Sequence, residues 1–275
     1  MFQKITGYSV DGMYRAFGGI LRGAQRDWRR AGRRESGDAT AFARSVGFEP
    51  DELQAKLLNQ DSHRLLLNCT RQWGKSTVTA LKAVHHAYTR AESLTLVVSP
   101  TARQTSEFVR KARLFLGRAG VRAKGDGGNA ISIALPNGSR VVGLPGTADT
   151  SRGYSGVSLL VIDEAAFVRD EQYDAVRPSL AASDGALWMM STPRAKSGFF
   201  YEAWANGGEE WERVSVRATE CPRISARFLE RERRSMDEQT FRREYLCEFA
   251  DGADMLFTRE MVDAAFSDEV RPLAA

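Results

Sequence analysis

From Arg64 onward the chain alternates short apolar runs with longer stretches in which apolar residues recur every three or four positions. The runs are "LLLN" at 65–68, "LTLVVS" at 94–99, "ISIAL" at 131–135, "RVVGL" at 140–144, "LLVID" at 159–163 and "LWMMS" at 187–191, all of strand length. Helical periodicity fills about Lys75 to Arg90 and about Ala102 to Gly117, and returns after "LLVID". "PNGS" between the third and fourth runs is turn chemistry and predicts a hairpin there. Strands that alternate with helices are joined by crossovers, so the expected fold is α/β, a mainly parallel sheet flanked by helices. After Pro193 the pattern becomes polar and helical, as in "ISARFLERERRSMDEQTFRREYL", and predicts a small helical C-terminal appendage. There is no internal repeat and no low-complexity tract.

Upstream of the alternation the sequence changes character. Residues 22–34, "RGAQRDWRRAGRR", carry six arginines and run into the polar "ESGDATA". This predicts a basic N-terminal extension over 1–46, a core over 47–215 and a helical C-terminal part over 216–275. The extension either grips nucleic acid or a partner, or is a solvated basic helix. Cys69, Cys221 and Cys247 are odd in number and show no C-x-x-C spacing; with His63, His85 and His86 they make no zinc pattern. A reduced, intracellular setting is expected. No apolar run approaches the roughly 18 residues of a membrane span, and no signal-peptide pattern opens the chain. Net charge is +4, which permits nucleic-acid contact without demonstrating it.

The chemistry-bearing stretch is "NCTRQWGKST" at 68–77, between an apolar run and a helical pattern. A phosphate-binding loop needs that strand-to-helix context, because exposed backbone N–H groups and the helix N-terminus hold the phosphates together. Lys75 would reach the outer phosphates and Ser76 would ligate Mg²⁺. Cys69 stands where the usual pattern has its first glycine, and a surface turn would also produce Gly-Lys-Ser. A second signature weighs against the turn. "SLLVIDEAAF" is an apolar strand ending in adjacent acids about ninety residues later. Asp163 at the strand's end is placed to hold the metal's water shell, and Glu164 to polarise an attacking water. That order favours hydrolysis over transfer to a bound acceptor.

"TRQWGKST", "SPTARQTSEFVRKA", "RGYSGVSLLVIDEAAF" and "MMSTPRAKSGFFYEAW" together resemble the ATPase domain of the large terminase subunit of tailed bacteriophages, over roughly residues 47–250. In that family the leading glycine of the loop is typically replaced and Arg-Gln stands inside it, as here at Cys69, Arg71 and Gln72. The resemblance implies ATP as the nucleotide and a P-loop NTPase of the RecA-like, additional-strand, catalytic-glutamate class. It also implies nucleotide contacts along the loop from Thr70 through Arg71, Gln72, Trp73, Gly74, Lys75 and Ser76 to Thr77. Thr77 reads more readily as helix packing than as a metal ligand. Gln54 matches the family's adenine-reading glutamine, and Arg71 the arginine that senses or stabilises the γ-phosphate, in its own subunit or beside a neighbour's. Lys75, Arg71 and Glu164 are then the catalytic set, with Ser76 and Asp163 on the metal. Ser191, Thr192 and Pro193 match the motif that couples hydrolysis to motion.

Arg103, Arg110, Lys111 and Arg113 are candidate DNA-phosphate contacts, although a solvated helix face explains them equally. Arg152 is a candidate contact to nucleotide or neighbour. The implied function is an ATP- and Mg²⁺-dependent motor that translocates double-stranded DNA into a procapsid, working as a homo-oligomeric ring at the portal protein in the host cytoplasm. A small terminase subunit is its implied partner, and no membrane is involved. No strand-borne acid cluster follows Pro193, so no nuclease activity is expected in this chain, which reads equally as an isolated domain, a truncation or a natural split in which a second, nuclease chain cuts. Two alternatives stand beside the motor: a helicase-like DNA-dependent ATPase, and a nucleotide-gated module that binds DNA or a partner with little turnover.

Overall fold

A computed structural model of the chain describes residues 38–128, 131–144 and 153–250. The six-arginine segment and Arg152 lie outside the described residues. Seven strands form one sheet: β1 (Arg64–Cys69), β2 (Leu94–Val98), β3 (Ser132–Ala134), β4 (Arg140–Leu144), β5 (Leu159–Asp163), β6 (Ala186–Ser191) and β7 (Glu212–Val216). Their order is β3-β4-β2-β5-β6-β1-β7, and every pairing is parallel except the β3–β4 hairpin. The expected mainly parallel α/β sheet is the observed one, and "PNGS" closes the hairpin with Gly138 N–H donating to the Leu135 carbonyl at 3.1 Å.

The strands are buried on both faces, which is why they read as unbroken apolar runs. Along β1, Leu65, Leu67 and Cys69 enter one core, whereas Leu66 enters the other; along β2, Val97 joins the first core and Leu94, Leu96 and Val98 the second. The first core is covered by α1 (Ala39–Ser45), α2 (Glu52–Asn59), α3 (Lys75–Thr89) and α4 (Ala102–Arg118). The second is covered by α5 (Asp170–Val176) and α6 (Gly198–Asn206). Two polar helices, α7 (Ala226–Ser235) and α8 (Glu238–Leu246), follow β7 and bury little besides Phe241. No helix of the described residues is long and apolar enough to cross a membrane.

Two features go beyond what the sequence pattern predicts. The helix α1 falls inside the predicted N-terminal extension, yet Phe42 and Ala43 are buried in the first core. Asp38 caps it by accepting from the Thr40 and Ala41 N–H groups, so the polar "DATA" is a helix start. The stretch after Pro193 is not helical throughout either, because "ERVSV" extends the sheet beyond β1 as an edge strand. Only Val216 of that strand is fully buried. A strand with one face on solvent has too few apolar positions to stand out in the sequence.

Candidate nucleotide site

Because β1, β5 and β6 run parallel, their carboxyl ends share one edge of the sheet. Asn68 lies opposite Ser191, and Asp163 opposite Met190. The loop after β1 and the acid pair after β5 therefore meet in a crevice, the usual ligand position in an open α/β sheet. A cleft of about 490 Å³ opens there, walled by Arg71, Gln72, Gly74, Lys75, Ser76 and Thr77 on one side and by Gln104, Lys111, Glu164, Phe167 and Thr192 on the other.

The loop backbone is bent for the purpose. Gln72 and Gly74 both have positive φ, at 65° and 96°. Alternation of handedness over successive residues turns N–H groups toward one side and makes an anion-binding nest. A Cβ at Gly74 would meet the Gln54 amide nitrogen at 3.3 Å and would strain the backbone, so only glycine fits there. Gly74 caps the 15-residue α3 with no side-chain acceptor. Among the described residues, nothing in the protein accepts the N–H groups of Gly74, Lys75 and Ser76. They are free donors at the positive end of a helix.

The side chains converge on that end. Lys75 Nζ pairs with Glu164 Oε1 at 2.9 Å, and Ser76 Oγ donates to Asp163 Oδ1 at 3.2 Å. Burial opposes the Lys75 ammonium, but the charge and hydrogen bond of Glu164, with Asp163 beside it, hold its pKa above the ordinary value. Burial, then the adjacent Glu164, pushes Asp163 up to about 6, against the pull of Lys75 and the Ser76 hydrogen bond. Cys69 is driven well above the usual thiol range by burial, so it is a neutral packing residue. Glu164 itself sits in the left-handed region at φ 54°, a strained conformation for a non-glycine residue. Ser191 holds that turn in place: its Oγ accepts the Ala166 N–H at 3.2 Å and donates to Glu164 Oε2 at 3.5 Å.

Other predicted residues take different places. Gln54 is 1% exposed, with both ends of its amide occupied: Oε1 accepts the Asp51 N–H at 3.1 Å, and Nε2 donates to the Trp73 carbonyl at 2.8 Å. It offers no free edge to a base. Thr70 is fully buried, and its hydroxyl donates to the Glu244 carbonyl at 3.0 Å. The Trp73 ring packs in the first core. Arg71 reaches over the cleft rim to Glu244 of α8 at 2.6 Å. Thr77 lines the cleft wall, as does Thr192, and Pro193 is buried beside it.

The basic helix face divides. Arg110 pairs with Glu107 at 2.6 Å on the surface, and Arg113 donates to the Ala123 and Ser132 carbonyls at 3.2 and 2.9 Å, tying a loop to α4. Arg103 is exposed. Lys111 instead faces the cleft and lowers the Asp163 pKa through its charge. Arg223 was missed altogether: it donates to the Trp73 carbonyl at 2.6 Å and to Asp51 Oδ2 at 3.0 Å from a segment 150 residues further on. Glu244 was missed as well. Arg223 sits in a turn ahead of the polar helices and Glu244 on one of them, where charge is unremarkable, and nothing local marks either one.

The family model described as terminase large subunit, T4-like-virus type, N-terminal, matches residues 66–263. The large terminase subunit of Thermus virus P23-45 is 24% identical over 196 residues, which are 62% of this chain and 39% of that protein's length. The chain thus spans well under half of that relative. Among solved structures, the large terminase ATPase domain of Thermus phage P74-26 superposes with a TM-score of 0.67 at 20% identity, over 76% of this chain and 98% of that one. The large terminase of a thermophilic bacteriophage, solved in complex with ADP, gives 0.63 at 15%, over 73% and 54%. These structures share the fold that carries the loop, the acid pair and the Ser191 turn. With a family model spanning most of its length and this architecture around the cleft, the chain belongs to the terminase large subunit family, T4-like-virus type, in its N-terminal part.

Proposed function

We propose that the chain is an ATP-hydrolysing motor domain whose cleft binds Mg-ATP and whose turnover drives double-stranded DNA. The observation that carries this is the convergence of Lys75, Ser76, Asp163 and Glu164 at the free N-terminus of α3. The unbonded N–H groups of the loop cradle phosphate, and Lys75 leaves Glu164 to meet the outer phosphate. Released from the lysine, Glu164 faces the cleft as a carboxylate and takes a proton from, or orients, the attacking water. Its strained turn and the Ser191 hydroxyl keep it at that post. Ser191, Thr192 and Pro193 connect this turn to α6 and are the candidate coupling element.

Ser76 and Asp163 fit a magnesium ion. They are hard oxygen donors already in mutual contact, and the cleft gathers two carboxylates against the Lys75 ammonium. Bound there, Mg²⁺ supplies charge neutralisation to the phosphates. Lys111 is reassigned from DNA contact to the nucleotide side of the cleft. Arg71, now on Glu244, is the mobile cation at the rim, and it reaches the γ-phosphate only by leaving that partner.

At the level of the whole machine, the family supports work as a ring of copies on the portal protein of a procapsid in the host cytoplasm. A small terminase subunit and a separate nuclease chain complete the proposed partners. The test is phosphate release with Mg²⁺, with and without duplex DNA, for the native chain beside Glu164→Gln. The expected result is turnover that DNA raises and the variant abolishes, while the variant still binds ATP because Lys75 has lost its competitor. ATP binding without turnover in the native chain at ring-forming concentrations would overturn the motor and leave a nucleotide-gated module.

A further inference from the structure

The Trp73 carbonyl accepts two hydrogen bonds from outside the phosphate loop, from Gln54 Nε2 at 2.8 Å and from Arg223 Nη2 at 2.6 Å. Gln54 comes from α2, ahead of the sheet's first strand, and Arg223 from the turn after β7. The two donors thus arrive from opposite ends of the described chain and meet on one oxygen. The peptide that follows is Trp73–Gly74. In a planar trans peptide the carbonyl and the next N–H point in opposite directions. Holding the Trp73 oxygen on the α2 side therefore aims the Gly74 N–H away from it, toward the cleft that Gly74 helps to wall. Gly74 is the one loop residue whose φ of 96° lets this peptide turn over freely, so the orientation has to be imposed from outside.

We propose that Arg223 and Gln54 are positioning residues that clamp the Trp73 carbonyl and so fix the Gly74 N–H as a phosphate donor. This inference rests on the nucleotide reading of the cleft. It assigns Gln54 to the loop rather than to the base, and gives the C-terminal segment a part in building the phosphate nest. Arg223 is suited to the task because a guanidinium can serve two acceptors at fixed angles, here the carbonyl and Asp51 Oδ2 at 3.0 Å. Asp51 and Gln54 already hold each other through the capping box of α2, so the clamp is braced at its base. The nest meets ground-state and transition-state phosphates alike, so its loss raises KM more than it lowers kcat.

The test is a titration of a fluorescent ATP analogue with Mg²⁺, paired with steady-state phosphate release and a melting curve on each sample. Arg223→Ala removes one donor. Gln54→Glu replaces the other with an oxygen while keeping the acceptor for the Asp51 N–H. Each is expected to weaken analogue binding about tenfold, the size of a charge-assisted bond lost, with KM moving more than kcat. Arg223→Lys should recover part of the loss. Asp51→Asn, which keeps an N-cap oxygen and drops the ion pair, should cost less than Arg223→Ala or Gln54→Glu, because both donors to the Trp73 carbonyl remain. If Arg223→Ala does not fold, Gln54→Glu and Arg223→Lys decide. Native affinity in those folded variants, with binding lost in Lys75→Ala, would overturn the clamp and leave the site reading intact. So would a loss in Asp51→Asn as large as in Arg223→Ala. If the native chain binds no better than Lys75→Ala, the site reading fails and the clamp with it.

Discussion

The helix α3 carries a buried lysine and a half-buried one, two turns apart, and the protein uses them in opposite ways. Lys75 at its N-terminus faces Glu164 at 2.9 Å, with Asp163 beside it, and its ammonium is held above the ordinary pKa. Lys82 faces neutral acceptors: the Leu58 carbonyl at 2.8 Å, the Gln60 carbonyl at 2.5 Å and the face of the Trp188 ring at 5.1 Å. Burial pushes Lys82 down to about 8. One lysine has partners that a phosphate can replace. The other ends the α2 helix by satisfying its last carbonyls, and Asp61, which pairs with Arg90, acts on it only through its charge. Burial of a lysine is thus no mark of a site; a partner with the mobility and charge to leave is.

The comparison makes predictions in order of size. Lys75→Ala should cut ATP turnover by about a thousandfold, as loss of a preorganised charge at the reacting phosphate does. Native rates of phosphate release in that variant would break the contrast outright. Lys82→Met should leave turnover per folded molecule within about twofold and cost about 3 kcal/mol in a urea titration, because two carbonyls lose their donor. A large rate effect with native stability would mean that Lys82, too, belongs to the chemistry.

The two ends also titrate in opposite senses. At the Lys82 end, burial, then Arg90, Lys82 and His85, holds His86 down to about 4 against a weaker pull from Asp61. The unfolded chain takes up that proton near 6.5 and the native chain does not, so stability falls as pH drops from 6.5 toward 4. At the Lys75 end Asp163 is raised to about 6 from 3.8. There the native chain takes up the proton first, so this group's contribution is complete below 3.8 and is lost as pH rises through 6. Nucleotide-free His86→Gln should flatten the acid limb of a stability profile between about pH 4 and 6.5. Asp163→Asn should steepen that limb and gain stability above about pH 6, each by on the order of 2 kcal/mol. Equal profiles in the two variants would contradict the assignment.

The smallest expected effect separates two adjacent cations on α4. Lys111→Ala should raise KM for ATP severalfold without DNA, since Lys111 lines the cleft. Arg110→Ala should leave KM and melting temperature unchanged, because its surface pair with Glu107 is solvated. Reversed results in that assay would return Lys111 to the DNA side.

The sequence by itself determined the elements whose signal is local. Six of the seven strands, the long helices, the loop and the acid pair follow from period, turn chemistry and spacing, because a strand buried on both faces has to be apolar throughout and a phosphate loop has to join a strand to a helix. Local pattern also names Lys75, Ser76, Asp163 and Glu164, and the parallel order of β1, β5 and β6 brings them together. Tertiary structure decided the rest. The edge strand β7 is half solvated and the helix α1 is short, so neither carries enough apolar residues to be seen. The roles of Gln54, Lys111, Arg223 and Glu244 depend on which partner lies across the fold: a carbonyl 19 residues away for Gln54, and one 150 residues away for Arg223. A polar side chain on a polar helix looks the same in sequence whether it meets water, a carboxylate or the backbone of a phosphate loop. Only packing brings one of those within hydrogen-bonding distance and takes the water away.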